Sequence, residues 1–244
     1  KKSGGITVSH LRFGKDPIKA TYLVNQANFV ACHNPSYVRL YDMVQDLKEG
    51  GTFLLNCGWD MDEIEKHLPG QVKRYMAEHN IKFYTIDGFK IGREIGLGTR
   101  INTVLQAAFF KLADIIPVDD AVKYMKDAAT ASYGSKGDAI VKMKHDAIDR
   151  GITDVKEVEV PATWANAEDE SLISKVTGGK DDLVDYVNNI ANPVNAQKGY
   201  DLPVSAFVDY ADGTTPSGSA AYEKRGIAVN VPCWNPDTCI QCNF

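Results

Sequence analysis

Three short apolar runs, rich in β-branched and aromatic residues, divide the first part of the chain. They are residues 29–32, 52–55 and 81–86. Each has the length and composition of a buried β-strand. A fourth, earlier candidate is residues 6–9, with the apolar residues 22–24 behind it. The pattern therefore predicts a sheet whose central strands are buried on both faces.

Helical patterns separate the later apolar runs. Residues 36–47 follow Asn34-Pro35, which is a helix-entry signal, and stop at a glycine pair. Residues 60–75 open with acidic side chains and repeat apolar positions every three to four residues. Strands that alternate with helices favour right-handed crossovers. The predicted fold is α/β, a doubly wound, largely parallel sheet covered by helices and followed by a small irregular segment.

Beyond residue 87 the pattern becomes mainly helical. Residues 101–116 are apolar on nearly all sides, which predicts deep burial or an interface. Three glycines before this helix, Gly92, Gly96 and Gly98, lack the strand-to-helix context of a dinucleotide fingerprint, and Gly96-Leu97-Gly98 predicts a turn. The remaining predictions are helices from 117, over 138–150 and over 181–190, an extended excursion over 151–169, a linker over 193–203 and an irregular module from 204.

Charge and cysteine content narrow the classes of function. The net charge of −5 argues against nucleic acid or an anionic membrane as the main partner. No apolar run approaches the roughly 20 residues that span a bilayer, and the first residues lack the apolar stretch of a signal peptide. Five unevenly spaced cysteines do not suit a disulfide framework. These features predict a cytoplasmic, reducing location.

Polar residues follow each of the three predicted strands. His33-Asn34 follows the first strand, Asn56 follows the second and Asp87 follows the third. Taken singly, such residues are more often helix caps than ligand-binding groups. In an open parallel sheet, however, ligands bind outside the carboxyl ends of the strands. We therefore expect these loops to share one edge and line one crevice.

A glycine-flanked run near the start of the chain gathers hydrogen-bond donors and positive charge. Ser9, His10, Arg12 and Lys15 lie within seven residues, and Lys19 follows closely. Guanidinium and ammonium groups suit a phosphate-bearing ligand. The alternative is a strand that carries an ordinary surface arginine, and the residues alone leave both interpretations open.

Cys239 and Cys242 close the sequence with a C-x-x-C pair. The stretch resembles the start of a bacterial-type ferredoxin run, C-x₂-C-x₂-C-x₃-C-P, whose third position falls after Phe244. Half of a zinc site or a redox pair would have the same spacing.

Six segments together resemble the pyruvate:ferredoxin (flavodoxin) oxidoreductase family, in order along nearly the whole chain. They are GITVSHLRFG (5–14), FVACHNPSY (29–37), GGTFLLNC (50–57), FYTID (83–87), IGLGTRIN (95–102) and EKRGIAV (223–229). The resemblance implies an interior fragment with a gamma-type domain over 1–198, a small EKR-motif segment over 199–236 and the truncated start of a ferredoxin-like domain over 237–244.

The resemblance also implies an activity. The family decarboxylates pyruvate oxidatively with thiamine diphosphate, passes electrons through [4Fe-4S] clusters to ferredoxin or flavodoxin, and yields acetyl-CoA. The implied role of this piece is coenzyme A binding and scaffolding, with no catalytic residue of its own. The implied site residues are Ser9, His10, Arg12, Lys15, Lys19 and Asn34 for coenzyme A, and Cys239 and Cys242 for a cluster of the full-length protein.

Three expectations concern the isolated piece and its partners. With no residues that resemble the thiamine site and two of four cluster ligands, we expect it to be inactive and to bind neither cofactor. Its expected partners are the other domains of the same enzyme, coenzyme A and the electron acceptor, in a full-length homodimer. The alternatives are a purely structural interaction domain without a ligand and an independent nucleotide-binding domain, against which the missing glycine fingerprint counts.

Overall fold

Three parallel strands and one antiparallel edge strand form the sheet in the computed structural model. Strands β1 (Ala27–Cys32), β2 (Leu47–Asn56) and β3 (Lys82–Ile86) lie side by side in sequence order, and β4 (Lys156–Val158) pairs antiparallel with β3. All three predicted buried runs are strands, so the predicted α/β fold with a largely parallel sheet is confirmed.

The structure describes residues 6–19, 21–173, 175–223 and 232–242. They fall into two compact units, which we call the sheet unit (Arg12–Ser174) and the tail unit (Lys1–Leu11 with Lys175–Phe244). The predicted boundary between residues 198 and 199 stays a prediction. Among the described residues, none of the helices combines the length and apolar character needed to cross a membrane.

Alternating side chains of the central strand enter two different cores. Phe53 and Leu55 of β2 belong to one apolar cluster, whereas Leu54 between them belongs to the other. All three side chains are essentially inaccessible to solvent. The strand is therefore a continuous apolar run because both of its faces are covered by helices or turns.

Two helices cover the face of the sheet that carries Phe53 and Leu55. Helix α1 (Met61–His67) begins with a capping box formed by Asp60 and Glu63, and α2 (Gly70–Glu78) follows after Leu68-Pro69. The sequence predicts one helix over 60–75. Pro69 divides it because the residue before a proline favours extended backbone, and Leu68 has ψ 127°.

Four helices lie in the connection that leads from β3 to β4. They are α3 (Gly88–Glu94), α4 (Asn102–Ala113), α5 (Val118–Tyr133) and α6 (Asp138–Thr153). Val104, Ala107 and Ala108 of α4 are fully buried, which confirms the predicted burial of this helix. The helix ends before residue 116 because Asp114 adopts left-handed backbone, with φ 47°.

Two further local predictions are wrong. Residues 36–47 form a short 3₁₀ helix (Pro35–Arg39) and turns instead of one helix, because the carboxylate of Asp42 accepts hydrogen bonds from the N–H groups of Val44 and Gln45 and so favours a turn. Residues 6–9 form no strand: no strand of the described sheet pairs with them, and Val8 is 56% exposed.

The tail unit has short helices and turns around a small apolar centre. Helix α7 (Asp181–Tyr186) continues through a π-helical turn (Val187–Ala191) into α8 (Asn192–Asn195), so the helix predicted over 181–190 is present. Three 3₁₀ turns follow: Gly199–Asp201, Val204–Tyr210 and Ser219–Tyr222. Residues 224–229 of the EKR motif lie outside the described residues.

Candidate ligand-binding edge of the sheet

The carboxyl ends of β1, β2 and β3 meet at one edge of the sheet. In the parallel ladder Cys32 lies opposite Leu55, and Asn56 lies opposite Ile86. The N–H of Cys57 donates to the carbonyl oxygen of Ile86 at 3.0 Å, so the β2 loop stays beside the end of β3. The expectation that the three polar loops share one edge is confirmed. We call these loops, residues 33–36, 56–59 and 87–88, the carboxyl edge.

Asn56 joins the three loops of the carboxyl edge. Its Nδ2 donates to the backbone oxygen of His33 at 2.9 Å, and its Oδ1 accepts from the backbone N–H of Gly88 at 2.8 Å. The side chain is completely buried. Its amide therefore satisfies one backbone acceptor and one backbone donor that lie outside the strand ladder.

Asn34 caps the turn that follows β1. Its Oδ1 accepts from the N–H and the hydroxyl of Ser36, at 3.1 and 2.9 Å, at the start of the 3₁₀ helix. Asn34 itself is exposed. Because Oδ1 already accepts two hydrogen bonds from Ser36, the Asn34 side chain would contact a ligand through the two N–H donors of Nδ2.

The loops after β2 and β3 approach each other closely at Gly58. A Cβ atom at this position would lie 2.5 Å from Oδ2 of Asp87. The other oxygen, Oδ1, accepts from the N–H of Lys90 at 2.8 Å and so caps α3. A side chain at position 58 would therefore have to displace the Asp87 carboxylate from the start of α3.

Burial disfavours the ionised forms of Cys57 and, in part, of His33 at this edge, and of Cys32 at the end of β1. It raises the pKa of the Cys32 thiol to about 12 and that of the Cys57 thiol to about 11, and it lowers the pKa of His33. At neutral pH both thiols are therefore protonated. A protonated thiol is a poor nucleophile, so the edge is better suited to binding a ligand than to covalent chemistry.

The predicted phosphate-binding run places Arg12 against its own chain. Nη1 and Nη2 donate to the backbone oxygens of Tyr22 and Leu23 at 2.5 and 2.7 Å, and the guanidinium lies 4.6 Å from the centre of the Tyr22 ring. Lys15 and Lys19 are exposed in the sheet unit. Arg12 keeps further N–H donors, since a guanidinium has five.

Ser9 and His10 belong to the tail unit and are exposed. The roles predicted for these two residues, for Arg12, Lys15 and Lys19, and for Asn34 stay predictions.

The glycines before α4 form the predicted turn. Gly96 and Gly98 have positive φ, 82° and 60°. A Cβ atom on Gly92 would lie 2.4 Å from the carbonyl oxygen of Gly98. They shape a tight connection between α3 and α4 and do not bridge a strand to a helix.

The C-x-x-C pair at the end of the chain is exposed. Sγ of Cys239 accepts from the N–H of Gln241 at 3.4 Å, and hydrogen bonds from Trp234 and Gln241 lower its pKa. Within the described part of the chain, no three His, Cys, Asp or Glu side chains are grouped to hold a metal. The role predicted for Cys239 and Cys242, two of the four thiolate ligands that a [4Fe-4S] cluster needs, stays a prediction.

The residue pattern predicts Asn56 at the shared edge but does not place it among the coenzyme A-binding residues. The available signal was a polar residue directly after the apolar run 52–55, at the end of a strand buried on both faces. Its partners, His33 and Gly88, lie 23 and 32 residues away and follow only from the register of the sheet.

Comparison with known proteins covers both units. The family model of pyruvate ferredoxin/flavodoxin oxidoreductase matches residues 1–153, and a second model, EKR, described as a domain of unknown function, matches residues 175–228. A solved structure of pyruvate oxidoreductase subunit PORC from Thermotoga maritima has a TM-score of 0.45 and 18% identity, over 56% of this chain and 67% of that chain.

Curated relatives match the chain from end to end. The pyruvate:ferredoxin oxidoreductase of Moorella thermoacetica and the pyruvate-flavodoxin oxidoreductase of Klebsiella pneumoniae are each 51% identical over 243 residues, which is 100% of this chain and 20% of the relative. A pyruvate dehydrogenase (NADP(+)) of Cryptosporidium parvum is 41% identical over 266 residues, 14% of its own length. The chain thus spans about a fifth of the length of its first two relatives.

Proposed function

Because the chain belongs to the pyruvate ferredoxin/flavodoxin oxidoreductase family, we propose that it is one part of a longer protein that oxidises pyruvate to acetyl-CoA and carbon dioxide. The observation that carries this proposal is the 51% identity over the entire chain to proteins named pyruvate:ferredoxin oxidoreductase and pyruvate-flavodoxin oxidoreductase. The electrons released pass through iron-sulfur clusters to ferredoxin or flavodoxin. Relatives with different named acceptors share this segment, so the segment by itself does not identify the acceptor.

The proposed contribution of this piece is to bind coenzyme A. That ligand carries a pyrophosphate and a 3′-phosphate, which need several donors and positive charge. Ser9, His10, Arg12, Lys15 and Lys19 supply them from one run of the chain, and Asn34 adds amide donors at the carboxyl edge. The thiols of Cys32 and Cys57 are protonated at neutral pH and so offer no thiolate nucleophile, which supports a binding role.

The cofactors of the proposed reaction are held mainly outside this chain. Thiamine diphosphate would supply the nucleophile that allows pyruvate to lose carbon dioxide, and no residue described above is assigned to it. Cys239 and Cys242 would supply two thiolates to a [4Fe-4S] cluster. The N–H···S bond from Gln241 favours the thiolate form that such a ligand requires.

A second role, scaffolding, is supported by apolar side chains that the tail unit leaves in solvent. Tyr200, Val204 and Val208 are 104%, 89% and 68% exposed. Exposed apolar groups in such numbers mark surfaces that other protein segments cover. We propose that other domains of the same polypeptide, in a homodimer, pack on this unit. A purely structural domain with no ligand is the alternative.

Titration of the chain with coenzyme A by calorimetry distinguishes a coenzyme A-binding domain from a purely structural domain without a ligand. Steady-state kinetics of the full-length enzyme test the individual binding residues. We expect Arg12→Ala to weaken coenzyme A binding by about 1.5–3 kcal/mol, the usual value of a hydrogen bond to a charged group. Arg12→Lys should restore the affinity only in part, because an ammonium cannot make a bidentate contact. The Michaelis constant for pyruvate should change much less.

Arg93→Ala is the matched control, since Arg93 is an exposed arginine in the last turn of α3. If Arg12→Ala lowers the melting temperature but leaves the Michaelis constant for coenzyme A unchanged, Arg12 acts through its bonds to Tyr22 and Leu23, and the structural alternative stands.

A further inference from the structure

Among the described residues, the buried amide of Asn56 makes the only side-chain hydrogen bonds that join the loop after β1, residues 33–36, to the start of α3. It donates to His33 and accepts from Gly88. The His33 carbonyl directly precedes Asn34, and Gly88 is the first residue of α3. A shift of the Asn56 side chain would therefore move Asn34 relative to the end of β3.

Only a carboxamide serves both partners. Its nitrogen donates to a carbonyl and its oxygen accepts from an N–H. A carboxylate keeps the acceptor for Gly88 but places a second acceptor against the His33 oxygen. An aliphatic side chain of similar size leaves both backbone groups buried without partners, which is costly.

We propose that Asn56 is a positioning residue for coenzyme A: it holds the 33–36 loop at a fixed distance from α3 and so places the Nδ2 donors of Asn34 toward the ligand. This inference rests on the proposed coenzyme A-binding function. Asn56 acts through the backbone of the loop and does not touch the ligand, because it is fully buried.

The test is steady-state kinetics of the full-length enzyme carrying Asn56→Asp or Asn56→Leu. We expect the Michaelis constant for coenzyme A to rise about tenfold, the factor that corresponds to one lost hydrogen bond of about 1.4 kcal/mol. The maximal rate at saturating coenzyme A and the Michaelis constant for pyruvate should stay within about twofold. A fall in the maximal rate alone, or an unchanged constant for coenzyme A, would overturn the inference.

Asn188→Asp is the matched control. Asn188 makes the same pair of bonds, accepting from the N–H of Val176 at 2.8 Å and donating to its carbonyl oxygen at 3.0 Å, within the tail unit. It should leave the Michaelis constant for coenzyme A unchanged. An equal rise of the Michaelis constant for coenzyme A in Asn56→Asp and Asn188→Asp would show a general effect of losing such a pair of hydrogen bonds. It would refute a specific role for Asn56.

A second measurement covers the case in which the Asn56 variants do not fold. Hydrogen exchange of the unmodified full-length enzyme reports the amides of Gly88 and Ser36, whose N–H groups bond to Asn56 and Asn34. Saturating coenzyme A should slow the exchange of both about tenfold or more, since ordering the loop stabilises both bonds. Exchange that is the same with and without coenzyme A would count against the proposal.

The two proposals fail in different ways. If neither Arg12→Ala nor Asn56→Asp changes the affinity for coenzyme A, the proposed binding function is wrong. If Arg12→Ala weakens binding and Asn56→Asp does not, coenzyme A binding stands and only the positioning role of Asn56 is refuted.

Discussion

The indole Nε1 of Trp164 donates a hydrogen bond to Oε2 of Glu65 at 2.5 Å, across 99 positions of the chain. The other carboxylate oxygen of Glu65 accepts from Nζ of Lys73 at 2.7 Å, and that ammonium lies 5.9 Å from the centre of the Trp164 ring. Trp164 and Lys73 are 3% and 8% exposed. Glu65 thus joins α1, α2 and the 3₁₀ turn Ala162–Asn166 on one face of the sheet.

The buried tryptophan should contribute strongly to stability. Trp164→Phe removes the hydrogen bond to Glu65 and part of the buried ring, so we expect the free energy of unfolding to fall by about 1–3 kcal/mol. Urea denaturation followed by circular dichroism measures this change. Trp234→Phe is the control, because Trp234 is 70% exposed and should cost much less. Equal losses in the two variants would contradict the assignment.

Glu65 should make stability depend on pH in the acid range. The hydrogen bond from Lys73, its largest cause, and that from Trp164 hold the pKa of Glu65 below its ordinary value of 4.5, against an opposing effect of burial. A carboxyl with a lowered pKa in the folded state stabilises fully above its unfolded pKa, and that contribution is lost as the pH falls through the folded value. Melting curves at several pH values should show a shallower loss below pH 4.5 in Glu65→Gln than in the parent. The exposed Glu159→Gln should keep the parent slope.

Close packing of α6 on α4 should make any residue larger than glycine at position 151 destabilising. A Cβ atom on Gly151 would lie 2.4 Å from the carbonyl oxygen of Val104 and 2.7 Å from Cβ of Ala107. We expect Gly151→Ala to destabilise the protein by about 1–3 kcal/mol, the usual cost of overpacking. Gly134→Ala is the control: Gly134 has helical backbone and open space around it, so alanine there should be neutral or stabilising by up to about 1 kcal/mol. Chemical denaturation of both variants decides, and a neutral Gly151→Ala would show that the two helices can separate without cost.

The thiols should react in an order set by their surroundings. Burial raises the pKa of Cys32 and Cys57, whereas hydrogen bonds from Trp234 and Gln241 lower that of the exposed Cys239. Because the thiolate is the reactive form, iodoacetamide at pH 7.5 should modify Cys239 well before Cys32 and Cys57 in chelator-treated protein. Peptide mass spectrometry over time measures the order. In urea the difference should disappear, and early modification of Cys32 in the folded protein would contradict the burial of that thiol.

Local residue patterns determined the sheet and the position of the candidate site. Three apolar runs predicted β1, β2 and β3, and the polar residues after them predicted that His33, Asn56 and Asp87 share one edge. A strand that is buried on both faces has apolar residues at consecutive positions, which a sequence shows directly. The carboxyl ends of parallel strands lie at the same edge of the sheet for any loop conformation. The order of helices after residue 101 followed for the same reason, since periodicity is a local property.

The tertiary structure alone decided which distant groups meet. The hydrogen bonds of Asn56 to His33 and Gly88 depend on the register of the strands. The bond of Trp164 to Glu65 likewise joins residues that are 99 positions apart in the chain. The same dependence explains the wrong predictions: residues 36–47 have helical spacing, but the Asp42 carboxylate turns the chain, and residues 6–9 have strand composition without a partner strand in the described sheet. A residue pattern sets what each segment can form, and the hydrogen-bond partners brought near by folding determine what it does form.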